Sequence, residues 1–309
     1  MTRPALAALA AVALLAAGCG SGAKAAPTTT TAGKASNKVS QGKTRLHVTR
    51  VGSLPRPLAK AAAVALPHGR LLVLGGYADG RSLDTILAGP PARLRVVGRL
   101  PQPTHDAAAA AVGGSVYLFG GGESVSTPSV VRVDPRTGRA REAPALDEPL
   151  SDLGAVAIGG QAYLVGGYTS VEFAAGILRY VRQGGTETVT HLPEGTRYAG
   201  VAALGRTIYV AGGLTTSGPA RAVYAVSLTG HVTRIGSLPQ PEDHAALAAL
   251  DGRLYLVGGR RVLAIDPVSG RASVAARLPT SLSDPTATTV GNRIVVAGGG
   301  TNGVWTLAR

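Results

Sequence analysis

A pair of adjacent glycines recurs six times along the chain, at Gly75-Gly76, Gly120-Gly121, Gly166-Gly167, Gly212-Gly213, Gly258-Gly259 and Gly298-Gly299. Successive copies are 45, 46, 46, 46 and 40 residues apart. A unit of that length is too small to bury its own apolar surface and must lean on its neighbours, as in a propeller or an array. The 309 residues therefore hold one repeat domain rather than two unrelated ones, preceded by a segment that lacks the pattern. Hydrophobic residues make up 45% and charged residues 16%, which places the chain among folded rather than disordered sequences.

Each glycine pair closes a short apolar run: LLVL, VYLF, AYLV, IYVA, LYLV and IVVA. These runs are apolar at both alternating positions, the pattern of a strand covered on both faces. A tight turn precedes each run, as at Gly113-Gly114, Gly159-Gly160, Gly205-Arg206, Asp251-Gly252 and Gly291-Asn292. Before the turn lies an Ala- or Val-rich strand such as Ala107 to Val112 or Ala245 to Leu250, small enough for a crowded axis. A variable loop and a third strand follow the glycines, for example Val130 to Asp134, Ala222 to Leu228 and Val262 to Asp266. A fourth strand is expected to end at a Leu-Pro step: Leu54-Pro55, Leu100-Pro101, Leu192-Pro193, Leu238-Pro239 and Leu278-Pro279. The first Leu-Pro closes a fourth-type strand with no unit before it, and the chain ends on a third-type strand, Gly303 to Ala308, with none after it. The expected fold is all-β: six four-stranded blades in a closed propeller over residues 45–309, the N-terminal strand completing the last blade and hiding its edge.

This diglycine unit resembles the kelch repeat, with Val97, Val189 and Ile235 near the position where an aromatic usually precedes the Leu-Pro step. Trp305, the one Trp, falls in a third strand instead. Kelch-like propellers include copper-dependent galactose oxidases and sialic-acid mutarotases. The oxidase centre needs a cysteine in the folded domain, and the only cysteine is Cys19.

Arg3 gives residues 1–18 a short positive start, and residues 5–17 form an apolar run too short to span a bilayer but suited to a signal peptide. The run ends Leu15-Ala16-Ala17-Gly18-Cys19, which resembles a bacterial lipobox with Ala16 in place of the commoner Leu. That resemblance implies cleavage before Cys19, lipidation of its thiol, and anchoring on the extracytoplasmic side of the cell membrane. Residues 19–44 then form a flexible linker rich in Thr, Ala, Gly, Ser and Lys. Lys24, Lys34, Lys38 and Lys43 lie in it. The formal net charge is +14, yet Arg is spread over all repeats and aromatic residues are only 4%, so nucleic acid is not an expected partner.

Aligning the approaches to each innermost strand by distance to the glycines gives a ring: Lys60, Asp106, Asp152, Tyr198, His244 and Asp284, with His105, Arg197 and Asp243 just before their ring positions. Carboxylates, imidazoles, Arg and Lys at one end of an axis make a candidate polar binding pocket. Asp or His would serve proton transfer, and Arg197 would grip a carboxylate through two hydrogen bonds. The residues come from separate repeats, so no ligand spacing supports a metal, and no cofactor is expected. Gly298 to Gly303 matches G-x-G-x-x-G but no βαβ unit follows. Catalytic residues remain unassigned. The reading from sequence is a monomeric binding or scaffolding module for an extracytoplasmic protein or glycan; the alternative, from the kelch resemblance, is a sugar-acting enzyme of the mutarotase type.

Overall fold

The computed structural model describes residues 45–309; the predicted signal peptide, Cys19 and the linker lie outside the described residues. The described chain is all-β, built of antiparallel sheets and without a helix. Each repeat is a meander. In the second, Ala108–Val112 pairs Ser115–Phe119, which pairs Val130–Val133, which pairs Ala140–Ala143. The third runs Gly154–Ile158, Gln161–Val165, Gly176–Tyr180, Thr186–His191, and the fourth Gly200–Leu204, Thr207–Ala211, Ala222–Ser227, Val232–Ser237. The six first strands, from Ala62–Leu66 to Pro285–Val290, touch one another in chain order, and the last touches the first. Small side chains permit that approach: Ala63, Ala65, Ala109, Ala111, Ala155 and Ala157 face a narrow central channel. The second strands are buried beyond their first residue, Leu71 to Leu74 being 0–1% exposed, and their side chains form the apolar layers between adjacent sheets.

The glycine pairs act as latches. Gly120 and Gly121 have φ of 62° and 77°, and the Gly121 amide donates to the Leu150 carbonyl at 2.8 Å. A Cβ on Gly120 would lie 2.0 Å from that same oxygen. The turn thus holds the chain segment arriving at the next innermost strand, and only glycine leaves room for it. The fifth pair departs from the expected pattern. Arg253–Ile265 continues as one strand through Gly258-Gly259, because the loop that follows the glycines in the first four repeats is missing. This missing loop is what shortens the last spacing to 40 residues.

Three of the five Leu-Pro steps also depart from the expected strand ends. Leu192-Pro193 and Leu238-Pro239 do follow the ends of Thr186–His191 and Val232–Ser237. The other three Leu-Pro steps lie inside longer strands: His47–Leu58, Arg95–Thr104 and Ala272–Leu282. Pairing lapses at the proline and then resumes, since Leu83 pairs Thr104 while Thr85 pairs Arg99, and Gly259 pairs Leu282 while Arg261 pairs Arg277. The proline, having no N–H to offer, occupies a bulge rather than a strand end. The first strand, His47–Leu58, pairs antiparallel with Thr301–Ala308, placing His47 opposite Ala308 and Val48 opposite Leu307. Leu46, Leu54 and Leu58 are 3–4% exposed there, in the apolar layers that also hold Trp305 and Val304.

Candidate functional site

The segment entering each innermost strand must turn from a path across the end of the sheets to one along the axis. It does so at one residue per repeat, held in the left-handed region: Lys60, Asp106, Asp152, Tyr198, His244 and Asp284 have φ of 57°, 55°, 57°, 54°, 51° and 54°. These are the six ring positions read from the sequence. A non-glycine residue in this region is uncommon, and six in register mark a shared backbone device. Its reward is a ring of hydrogen bonds running from repeat to repeat. The amide of Asp106 donates to the Lys60 carbonyl at 3.0 Å, Asp152 to Asp106 at 2.7 Å, and Tyr198 to Asp152 at 2.9 Å. Asp284 donates to His244 at 3.0 Å and Lys60 to Asp284 at 3.1 Å. The remaining step, Tyr198 to His244, is bridged by their stacked side chains, with ring centroids 3.9 Å apart and tilted by 30°.

All six side chains line one cavity of about 180 Å³ at the mouth of the channel. They are joined across repeats in pairs. Lys60 Nζ donates to Asp106 Oδ2 at 2.8 Å, Arg197 Nη2 to Asp152 Oδ2 at 2.6 Å, and His244 Nδ1 meets Asp284 Oδ1 at 2.5 Å. His105 flanks the first pair, its Nε2 3.5 Å from Asp106 Oδ2 and its Nδ1 2.8 Å from Ser82 Oγ. Arg197 also donates to the Tyr198 hydroxyl at 2.6 Å and stacks over the rings of Tyr168 and Tyr198, each 4.5 Å from its guanidinium carbon. Its Nε is buried with no partner. Asp152 and Tyr198 both engage Arg197 through Nη2 alone, so the two-bond grip on a ligand carboxylate expected from the sequence is neither formed nor blocked by these contacts. His105 and Arg197 line an adjoining hollow of about 270 Å³ rather than the axial cavity. Asp243 lines neither; its charge helps to raise the pKa of its neighbour His244.

The electrostatics follow from crowding carboxylates at a half-closed mouth. Burial pushes the Asp152 carboxyl up to about 6, and the charge of Asp106 pushes the same way, against the pull of Arg197. Burial also raises Asp106, opposed by its hydrogen bond to Lys60. Both carboxyls of this pair are thus raised by burial, each against the pull of its own cation. Burial raises Tyr198 to about 12, so its hydroxyl stays protonated. The hydrogen bond to Asp284 raises His244, whereas burial and the Lys60 charge lower His105. Two histidines at one mouth thus lean toward opposite protonation states.

The adjoining hollow adds loop hydroxyls that lie outside the repeating ring positions. Ser126 Oγ lies 3.0 Å from Ser151 Oγ and donates to the Tyr168 carbonyl at 2.8 Å; Ser151 Oγ donates to Asp152 Oδ2 at 3.2 Å. Ser126 lies in a variable loop with no alignable position, which is why periodicity did not reveal it. Among the described residues no three His, Cys, Asp or Glu side chains are grouped as a metal ion would require.

No protein-family model matches the chain. No curated protein matches it either. Among solved structures, that of YjhT superposes with a TM-score of 0.70 over 82% of this chain and 94% of that one, at 14% sequence identity. A likeness at that identity speaks to fold alone, and the fold it supports is a β-propeller.

Proposed function

We propose that this chain is a six-bladed, kelch-like propeller, closed by its own first strand and anchored through Cys19 on the extracytoplasmic side of a membrane, where it binds a small glycan at the axial mouth. The observation that carries the binding reading is convergence: six residues from six repeats line one cavity. The closed, six-unit reading is supported by the pairing of His47–Leu58 with Thr301–Ala308 and by the cyclic contacts of the first strands. The class of ligand follows from charge. Every cation in the ring already faces a carboxylate, so the mouth offers matched donors and acceptors rather than surplus charge. A neutral polyhydroxylated ring suits such a lining better than a strong ion. The cavity of about 180 Å³ is small for a ligand site and suits one sugar ring rather than a chain. Saturation-transfer NMR against a panel of monosaccharides tests this, with Asp152→Ala as control. Saturable transfer lost in the variant is expected; no transfer from any sugar removes the reading.

One observation favours a second reading, the mutarotase type. Asp152, whose carboxyl burial raises to about 6, and Asp106 stand at successive ring positions and line the same cavity. Asp152 would protonate the ring oxygen while Asp106 takes the anomeric hydroxyl proton, breaking the ring C–O bond and forming the carbonyl; reversal after rotation returns the other anomer. Polarimetry of anomerisation with wild type and Asp152→Asn decides it: a rate equal to buffer for the wild type leaves binding alone.

A further inference from the structure

We propose, beyond the reading of the mouth, that the opposite end of the propeller is a docking face for an anionic lipid bilayer. In each meander the first-to-second and third-to-fourth turns lie at the end away from the ring. The first set, with flanking residues, brings Arg70, Arg206, Arg253 and Arg293 to that end. The second brings Arg93, Arg95, Arg136, Arg139, Arg182 and Arg271. The same turns hold only three carboxylates, and each is occupied. Asp134 accepts the amides of Arg136 and Thr137 at 2.8 and 3.3 Å. Asp266 accepts those of Val268 and Ser269 at 3.1 and 2.9 Å and lies 3.7 Å from Arg253. Asp251 lies 3.6 Å from Arg309. A fourth carboxylate, Asp147, reaches the Arg182 turn from outside it and accepts the Thr186 amide and hydroxyl, both at 2.7 Å. Ten arginines thus stand against four spoken-for aspartates, whereas the mouth loops expose Asp79, Glu123, Glu172 and Glu194.

The charge is densest at the second repeat. Arg132, Arg136, Arg139 and Arg141 line one open hollow beside Gly113-Gly114, and a Cβ on Gly113 would lie 3.4 Å from an Arg182 guanidinium nitrogen. Among the described residues the side chains of Arg136, Arg139, Arg141 and Arg182 have no ion pair. Guanidiniums in such a group suit phosphate oxygens. A bilayer is the source of phosphate that fits this face for two reasons. His47 pairs with Ala308 at this end, so the segment before residue 45, with its expected lipid attachment at Cys19, joins the propeller here and not at the mouth. Val268 is 85% exposed in a turn of the same face, an apolar group among the cations. Docked this way, the ring mouth points away from the membrane.

The test uses the full chain carrying Cys19→Ser, which removes the lipid from every sample, and partition onto vesicles measured by lipid titration. Vesicles of phosphatidylcholine with a minority of phosphatidylglycerol should bind more tightly than pure phosphatidylcholine, with the difference erased by high salt. Replacing Arg136, Arg139, Arg182 and Arg271 together by Gln should weaken binding to the anionic vesicles by about tenfold or more. Replacing the mouth-side Arg81, Arg221 and Arg260 by Gln should leave it unchanged. Unchanged circular dichroism in both sets keeps misfolding out of the comparison. Equal partition of the four-site variant and its parent, or an equal loss in the mouth-side variant, overturns the proposal. So does binding of inorganic polyphosphate without any preference for anionic vesicles.

Discussion

Asp152 illustrates how much one residue of the mouth is constrained. Its backbone sits at φ 57°, its amide and carbonyl both belong to the ring of hydrogen bonds, and its side chain is 2% exposed against Arg197. Because burial lifts its pKa to about 6, above that of an unfolded carboxyl, the folded state holds the proton longer than the unfolded state does. Its contribution therefore favours folding below the unfolded pKa near 4 and is lost as pH rises through 6. Asp152→Asn removes that dependence. Urea unfolding of the two proteins should show the wild type losing on the order of 2 kcal/mol relative to the variant between pH 4 and pH 8; parallel curves across that range would contradict the assignment. The latch glycines give a second test at this scale. Gly120→Ala combines a positive φ with a Cβ 2.0 Å from a carbonyl and should cost about 3 kcal/mol or more. Gly160→Ala, at φ 76° with nothing within 4 Å, bears backbone strain alone and should cost about 1–2 kcal/mol. Similar losses in unfolding free energy would refute the latch.

At the scale of strands, what was legible in the sequence was whatever repeats. Four-residue apolar runs, two-residue turns and the ring positions recur at fixed distances from the glycines, so the placement of Lys60, Asp106, Asp152, Tyr198, His244 and Asp284 around one mouth could be read by counting. What does not repeat stayed hidden. Ser126 and Tyr168 reach the site from loops of unrelated sequence, and the cage around Arg197 depends on where those loops land. The Leu-Pro steps misled for a different reason: proline forbids one hydrogen bond, not a strand, and a bulge absorbs the loss. The fifth repeat shows the complementary freedom. Its strand Arg253–Ile265 passes straight through the position where the first four repeats have a loop, so that loop is not needed to build the unit. Inserting six Gly/Ser residues between Gly259 and Arg260 would restore the common spacing. It should cost about 1–2 kcal/mol of closure entropy, and thermal unfolding that dropped far beyond that would show the continuous strand to be structurally required.

The proposed closure belongs to the whole molecule. An array with free ends loses its terminal units first, whereas a ring has no terminal unit until a strand is pulled out. His47–Leu58 is the strand that would have to leave, since among the described residues it alone pairs with Thr301–Ala308 on that side, from the far end of the sequence. It buries Leu46, Leu54 and Leu58 at 3–4% exposure. Replacing any one by Ala should cost about 2–5 kcal/mol. Deleting residues 45–58 removes all three and exposes the edge of Thr301–Ala308, so the truncated protein should unfold at lower urea and self-associate through that edge. Added in trans, a peptide of residues 45–58 should restore both the midpoint and the monomer, because its register against Thr301–Ala308 is fixed by the same side chains that fix it in the intact chain. If the truncated protein is as stable and as monomeric as the parent, measured by urea titration and gel filtration, the first strand is an accessory. The mouth ring would then have to hold its shape from the hydrogen bonds of the six turns alone.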